Sequence, residues 1–263
     1  MTLPRVHFAV AGAIGQITGG YIYDARIADG LKALGWSMRI HELAGRHPEA
    51  DAEAGRRAAA CLEAVGGGEI LLVDGLALPA FLPALPKLRD GARLVGLIHH
   101  PLADETGVDE ASRRTLDAAE RAALGHAARV IVTSDTTAAA VAAMGVPAER
   151  IGTVRPGVDA VPRASTGRSR DTQRLDLLCV ATITPRKGHA LLVEALAGLQ
   201  GLPWRLTCIG SDTRDPATAV ALRDLIARHG LEERIALSGE RPAADMPVAY
   251  AAADLFVLPS FHE

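Results

Sequence analysis

Short apolar runs rich in valine, isoleucine and leucine alternate along this chain with alanine-rich stretches in which apolar residues recur every three or four positions. The short runs are typical of buried strands, and the three- to four-residue spacing is typical of amphipathic helices. Alternation of the two indicates a parallel sheet with helices on both faces. The pattern therefore predicts an α/β protein made of two doubly wound, Rossmann-like domains.

The first predicted domain, residues 1–160, contains one complete set of alternating strands and helices. Its strands are predicted near residues 5–11, 37–42, 69–73, 93–98, 129–133 and 151–154. Helical patterns lie between them, for example from Tyr23 to Leu34 and from Ser112 to Ala127. Gly35 and Gly125 stand where those helices are expected to end.

A polar stretch with proline, glycine and serine but no periodicity, residues 161–174, interrupts the alternation. Such a stretch is typical of a linker or of a long surface loop. The alternation then restarts in a second domain, residues 175–263. Its strands are predicted near 175–181, 204–210, 234–238 and 254–258, and its helices at 188–199, 216–229 and 243–252. Because a complete sheet has about 5–6 strands, we expect this domain to be incomplete.

Composition and charge narrow the class of protein. The chain has 28 Lys and Arg against 31 Asp and Glu, a net charge of −3, which excludes the basic footprint of a nucleic-acid binder. No apolar run reaches the ~18 residues of a membrane-spanning helix, and the N-terminus lacks the features of a signal peptide. Three cysteines, Cys61, Cys179 and Cys208, cannot all pair, and the last two lie in strand-like apolar runs where a small buried thiol is expected. We predict a cytoplasmic protein without an integral membrane segment.

Four glycines, Gly12, Gly15, Gly19 and Gly20, follow the first strand and precede a helix. At such a turn, backbone amides can approach a phosphate without obstruction by side chains. Gly12 and Gly15 begin a pattern resembling a nicotinamide-binding loop, but Thr18 stands at its third glycine position. A second interpretation is that a Gly19-Gly20 loop touches the diphosphate of a ligand held mainly by the second domain. A third is that the glycines only form a tight turn.

The segment CVATITPRKGHALLVEAL places Arg186 and Lys187 between a buried strand and an amphipathic helix, flanked by Thr182, Thr184 and Gly188. The positive end of a helix dipole repels two adjacent cations there. An anion resolves the conflict, because a diphosphate can bind both side chains and the helix amides. The alternative is a solvated Arg-Lys pair on an exposed turn.

A strand, the sequence PRKG, an amphipathic helix and a later strand ending in LPSFHE resemble the family 4 (group 1) retaining glycosyltransferases of GT-B fold. The resemblance implies transfer of a sugar from a nucleoside-diphosphate sugar to an acceptor hydroxyl with retention. It assigns the donor diphosphate to Arg186 and Lys187. The commoner family pattern has Gly-Arg where this chain has Ala181-Thr182, so the resemblance is to the branch with Pro-Arg-Lys.

The resemblance implies further site residues at the ends of other strands. Ser260 and Glu263 match the start of a Pro-Ser loop that leads to two glutamates eight residues apart, and the first of these contacts the donor sugar. His99 and His100 follow the strand RLVGLI, where a family histidine faces the donor sugar. Only one of two adjacent residues can face the ligand, and His99 is our first choice. A packed, hydrogen-bonded histidine is the alternative for either.

Three more candidates rest on position alone. Gly210, Glu240 and Arg241 follow strands of the second domain at points where family members bind the nucleobase through the backbone.

No metal and no cofactor are expected, since the chain lacks the Asp-x-Asp pattern that holds a metal ion against the donor in other glycosyltransferases. The acceptor is left open among a glycan, a lipid-linked molecule and a small molecule, with peripheral membrane contact allowed. Two other functions stay open: a non-catalytic nucleotide-sugar-binding module, and an NAD-dependent nucleotide-sugar epimerase or dehydrogenase. The second family glutamate would lie beyond the last residue, so we expect this chain alone to be inactive or weakly active.

Overall fold

The chain divides into two compact units, residues 1–157 and 158–263. The computed structural model describes residues 3–105, 109–158 and 174–261, so the predicted linker lies outside the described residues except for Arg174. Each unit is built on a parallel sheet, with six strands in the first and four in the second. The predicted α/β class with two Rossmann-like sheets is therefore confirmed.

The sheet of the first unit has the order β2-β1-β3-β4-β5-β6. Its strands are β1 (Val6–Ala11), β2 (Met38–Leu43), β3 (Ile70–Asp74), β4 (Arg93–Ile98), β5 (Arg129–Val132) and β6 (Ile151–Thr153). The helices are α1 (Gly19–Ala33), α2 (Ala52–Glu63), α3 (Leu78–Phe81), α4 (Glu110–Gly125) and α5 (Asp135–Ala143). Because β2 and β3 lie on opposite sides of β1, the chain changes direction across the sheet between β1 and β3.

Both faces of this sheet are buried. Along β1, Ala9 and Ala11 pack into one apolar cluster, whereas Val6, Phe8 and Val10 pack into another. A strand buried on both faces has no polar alternation, which explains the continuous apolar run at the start of the sequence.

The second unit has the sheet order β10-β7-β8-β9. Its strands are β7 (Leu175–Val180), β8 (Trp204–Ile209), β9 (Ile235–Leu237) and β10 (Leu255–Phe256), and its helices are α6 (His189–Ala197), α7 (Pro216–Arg228) and α8 (Met246–Ala252). The strands β8 and β10 flank β7, so the change of direction in this sheet lies between β7 and β10.

Local signals in the sequence fix where several helices begin and end. The side chains of Asp51, Asp109 and Asp215 each accept a hydrogen bond from the backbone N–H three residues on and so cap α2, α4 and α7. Such a cap contributes about 1 kcal/mol. At the end of α1, Gly35 has φ of 86°, and its N–H bonds to the carbonyl of Lys32. Glycine adopts this left-handed conformation without strain.

The described part of the chain contains no helix that is both long enough and apolar enough to cross a bilayer. All three cysteines are buried free thiols, which confirms the expectation for Cys179 and Cys208 and adds Cys61.

Candidate functional site

A histidine and two carboxylates meet where the first sheet changes direction. Open α/β sheets bind ligands beyond the carboxyl ends of the strands at this point. Asp74 ends β3, His99 follows β4, and α1 brings Asp24 to the same edge. The Nε2 atom of His99 lies 3.0 Å from Oδ1 of Asp24 and 3.7 Å from Oδ2 of Asp74. We call these three residues the Asp-His cluster.

Burial and charge perturb the ionisation of this cluster. Asp24 is 1% exposed and Asp74 is 2% exposed. Burial, with the charge of Asp24 added, raises the pKa of Asp74 to about 7. Burial lowers the pKa of His99, but the hydrogen bond that its ring donates to Asp24 and the charges of both carboxylates outweigh it, so the net pKa is raised. The cluster therefore favours a protonated imidazole at His99.

Two residues of α1 pack against the ring of His99. The ring of Tyr23 meets it edge-on with centroids 5.3 Å apart. A Cβ atom on Gly20 would lie 3.6 Å from both Cδ2 and Nε2 of His99. The predicted Gly19-Gly20 loop was wrong, because both glycines belong to the first turn of α1, which begins after the extended Thr18. Gly20 nevertheless lies beside His99, so the structure brings two of the predicted site residues together.

His100 has different surroundings. Its Nε2 atom lies 3.2 Å from Oε2 of Glu105. It lines a cavity of about 220 Å³ together with His47 and Leu116, among others. His99 and His100 therefore belong to separate surroundings, and the Asp-His cluster contains only His99.

The glycine-rich turn after β1 is bound by an acidic side chain of the neighbouring strand. Glu42, on β2, accepts a hydrogen bond at 2.9 Å from the backbone N–H of Ile14 in this turn. Gly12 has φ of 68°, a conformation that favours glycine whatever the ligand.

In the second unit, the PRKG segment packs against the Pro-Ser loop at the change of direction between β7 and β10. The backbone N–H of Phe261 donates to the carbonyl of Arg186 at 2.9 Å. Gly188 has φ of 69°, and a Cβ atom there would lie 2.1 Å from the carbonyl oxygen of Pro259. Sequence elements more than seventy residues apart thus form one surface at the end of the sheet.

Arg186 and Lys187 are half-buried in a 3-10 turn, Pro185–Lys187, and α6 begins only at His189. The predicted position of both residues between a buried strand and an amphipathic helix is confirmed, and a 3-10 turn directly precedes the helix. The left-handed conformation of Gly188 separates the turn from the helix, and the sequence pattern alone did not reveal it.

The remaining candidates of the second unit lie at the same edge or follow β9. A Cβ atom on Gly210 would lie 2.0 Å from the carbonyl oxygen of Ala181, next to Thr182. Ser260 has a buried Oγ atom with no hydrogen-bond partner among the described residues. Oε1 of Glu240 lies 3.6 Å from Nε of Arg214. Arg241 is exposed, and Glu263 lies outside the described residues.

Comparison with known families decides the class of protein. Residues 164–263 match a family model described as glycosyl transferases group 1, and residues 69–157 match a glycosyl transferase 4-like domain. The chain belongs to the group 1 glycosyltransferases.

Curated relatives of this glycosyltransferase include enzymes that build different products. The chain is 34% identical over 122 residues to the amylovoran biosynthesis glycosyltransferase of Erwinia amylovora, covering 45% of this chain and 28% of the relative. It is 30% identical over 130 residues to the D-inositol 3-phosphate glycosyltransferase of Corynebacterium glutamicum, covering 44% and 31%. The chain thus spans less than a third of the length of the curated relatives it matches.

Solved structures show the same fold at low identity. Sucrose-phosphate synthase from Thermosynechococcus elongatus superposes with a TM-score of 0.80 at 20% identity, over 99% of this chain and 76% of that one. Anabaena HepE in complex with UDP and glucose gives 0.69 at 18% identity, over 98% and 74%. These likenesses establish the GT-B fold of this glycosyltransferase.

Asp24 and Asp74 were not predicted as site residues of this glycosyltransferase. One signal was available for Asp74, since a carboxylate ends the otherwise apolar strand ILLVD at the edge where ligands bind. Asp24 lies four residues after Gly20, on the same side of α1. A charged residue of an amphipathic helix usually faces solvent, so no local signal indicates that Asp24 belongs to the site. The strand order was needed to place it beside His99.

Proposed function

We propose that this glycosyltransferase moves a sugar from a nucleoside-diphosphate sugar to an acceptor hydroxyl, with retention of configuration and without a metal ion. The observation that carries the proposal is the PRKG turn packed against the Pro-Ser loop at the change of direction of the second sheet. This is where open α/β sheets bind nucleotides. UDP in the complex of the structurally similar HepE supports a nucleoside diphosphate as the ligand.

The proposed roles follow from charge and position. Arg186 and Lys187 bind the diphosphate and stabilise the negative charge that develops on it as it leaves. Ser260, whose hydroxyl lacks a partner among the described residues, donates to the same donor molecule. His99 and Glu263 contact the transferred sugar, and Gly19, Gly20, Thr182, Glu240 and Arg241 stay proposed donor contacts. For Gly188 and Gly210, the close backbone contacts give a structural reason for glycine that needs no ligand.

The proposal includes neither metal nor cofactor. Asp24, Asp74 and His99 offer ligand atoms within 4.8 Å of one another, a spacing that could hold an ion. The 3.0 Å separation between Nε2 of His99 and Oδ1 of Asp24 is also that of a direct hydrogen bond, and a protonated His99 balances the charge of Asp24. We therefore assign a proton, not a metal ion, to this cluster. The acceptor class stays open between a glycan and a small or lipid-linked molecule.

The experiment is nucleotide binding by calorimetry with the full-length protein. Changing both Arg186 and Lys187 to Ala is expected to lower the affinity for UDP, GDP or ADP by about tenfold or more, because charge-assisted contacts contribute ~1.5–3 kcal/mol each. Arg205→Ala, an exposed residue on β8, is the matched control and should bind normally. Unchanged affinity in the double variant would rule out the diphosphate assignment.

Product analysis then tests catalysis. Sugar transfer with the anomeric configuration retained, unaffected by EDTA, is expected of the enzyme. Nucleotide binding without transfer from any donor would instead support a non-catalytic binding module.

A further inference from the structure

We propose that Asp24 and Asp74 are positioning residues that hold His99 by its Nε2–H, so that Nδ1 is the ring atom offered to the transferred sugar. The contact with the sugar rests on the function proposed above. The positioning itself rests on the first unit alone.

Three different elements deliver the members of the Asp-His cluster. Asp24 comes from α1, Asp74 from the end of β3, and His99 from the end of β4. Oδ1 of Asp74 also accepts a hydrogen bond at 3.1 Å from the backbone N–H of Leu76, which fixes that carboxylate in its own turn. The Nε2 atom of His99 therefore faces two carboxylates that are each held by the fold.

The two buried carboxylates require a positively charged partner. Neither carboxylate has a Lys or Arg partner in the described ranges, although each is almost fully buried. An ionised buried carboxylate without a partner is strongly disfavoured. A positive charge on His99 lies next to both carboxylates and offsets their negative charge.

The rest of His99 is fixed as well. Its backbone carbonyl accepts hydrogen bonds from the hydroxyls of Thr133 at 3.0 Å and Thr137 at 3.1 Å. Tyr23 meets the ring at an interplanar angle of 87°. With backbone and ring both held, the imidazole has little freedom to rotate.

One ring nitrogen is left for a ligand. No partner of Nδ1 is found among the described residues, and the side chain of His99 is 21% exposed. Because Nε2–H points to a carboxylate, which can only accept, Nδ1 accepts a hydrogen bond when the ring is neutral and donates one when it is charged. A sugar hydroxyl can pair with either form.

The ionisable groups that face the imidazole ring of His99 come from α1 and β3. Asp24 and Tyr23 face it from α1, and Asp74 faces it from β3. Burial, and then the charge of Asp24, raises the pKa of Tyr23, so this phenol stays neutral near pH 7. The two threonines contribute only hydroxyls to the backbone. Asp24 is therefore expected to have the largest effect on the pKa of His99, and Asp74 the second largest.

The test is an NMR titration of the histidine rings in the ¹⁵N-histidine-labelled protein, with His99 assigned by the signal lost in His99→Gln. We expect Nε2 to carry the proton in the neutral ring. Asp24→Asn should lower the pKa of His99 by ~1 unit or more, because an opposite charge at this distance shifts a pKa by about 1–3 units. Asp74→Asn should lower it less. Asp29→Asn, an exposed position on the same helix, should leave it unchanged.

Activity separates this inference from the proposed function. In the active enzyme, Asp24→Asn should lower kcat and shift its pH profile to lower pH, with a smaller effect on KM for the donor. If no donor is turned over but the NMR shifts occur, the proposed function fails and the positioning stands.

Two results would overturn the positioning. One is an unchanged pKa of His99 in both Asp24→Asn and Asp74→Asn. If Asp24→Asn does not fold, the pKa of His99 in Asp74→Asn alone decides. The other is stoichiometric Mn²⁺ that broadens the His99 signal in the wild type but not in Asp24→Asn, which would make the cluster a metal site.

Discussion

The two sheets end in edges that are fixed by different means. In the first unit, ionisable side chains from three elements hold one another, as in the pair of His99 with the buried Asp24. In the second unit, backbone contacts hold the edge, with Gly188 against Pro259 and the Phe261 N–H on the carbonyl of Arg186. The side-chain arrangement at the first edge should therefore depend on pH and charge. The stability of the second edge should instead be sensitive to the volume of a single added methyl group.

This difference matches the proposed division of roles. A side chain that contacts a reacting sugar needs a defined orientation and protonation state, which neighbouring charges provide. Cations that bind a diphosphate need a defined turn, which tight backbone packing provides. The following predictions begin with the largest expected effect.

Gly188→Ala should damage the second unit most. The added Cβ would lie 2.1 Å from the carbonyl oxygen of Pro259, and φ of 69° is left-handed. The conformation costs about 1–2 kcal/mol and the overpacking about 1–3 kcal/mol, so we expect a loss of about 4 kcal/mol. Urea unfolding followed by the fluorescence of the buried Trp204 measures it.

Two glycines of the same unit serve as controls for this loss. Gly230 has φ of 65° but open space around its Cβ position, so Gly230→Ala should show the conformational cost alone. Gly201 has neither constraint, and Gly201→Ala should be close to neutral. Equal losses in all three variants would show that contact with the Pro-Ser loop does not hold the turn.

Glu120→Gln should reveal the dependence of the first unit on pH. Glu120 is fully buried on α4, its Oε2 accepts the Leu102 N–H at 2.9 Å, and its Oε1 has no partner among the described residues. Burial raises the pKa of this carboxyl to about 7. A raised pKa contributes stability that is present below about pH 4.5 and is lost as the pH rises through about 7.

The glutamine variant removes this ionisation and keeps the acceptor for Leu102. The wild type should lose no more than about 3 kcal/mol of unfolding free energy between about pH 4.5 and pH 8, and Glu120→Gln should lose less over this range. Urea unfolding at both pH values measures the difference, with the exposed Glu149→Gln as control. A parallel pH dependence in Glu120→Gln and the wild type would remove Glu120 as its cause.

The fold could be predicted from the sequence because apolar runs and helical spacing are local properties. All ten predicted strands are present, with bounds within two residues of those observed. The residues that meet at the ends of the strands were harder to predict, since their contacts depend on strand order. Residues 24, 74 and 99 meet only because β1, β3 and β4 are neighbours in the sheet. Likewise, the contact between Gly188 and Pro259 depends on β10 lying beside β7.

Gly19→Ala should have the smallest effect on stability, and it separates two interpretations of the glycine-rich turn. A Cβ atom on Gly19 would meet nothing within 4 Å, and its φ is not in the left-handed region. Alanine is also the better helix former, although less so in a first turn, so a change within about 0.5 kcal/mol is expected. Steric constraints inside the unit thus give no reason for glycine at this position.

A ligand that approaches the backbone does give such a reason. If the first turn of α1 contacts the donor diphosphate, Gly19→Ala should weaken nucleotide binding by about threefold or more while the melting temperature stays the same, since a methyl group would separate the amides from the phosphate. Gly30→Ala, which also has open space on the same helix, is the matched control and should bind normally. Normal binding in Gly19→Ala would leave the glycine with no role in the donor site, and the proposed contact would have to be withdrawn.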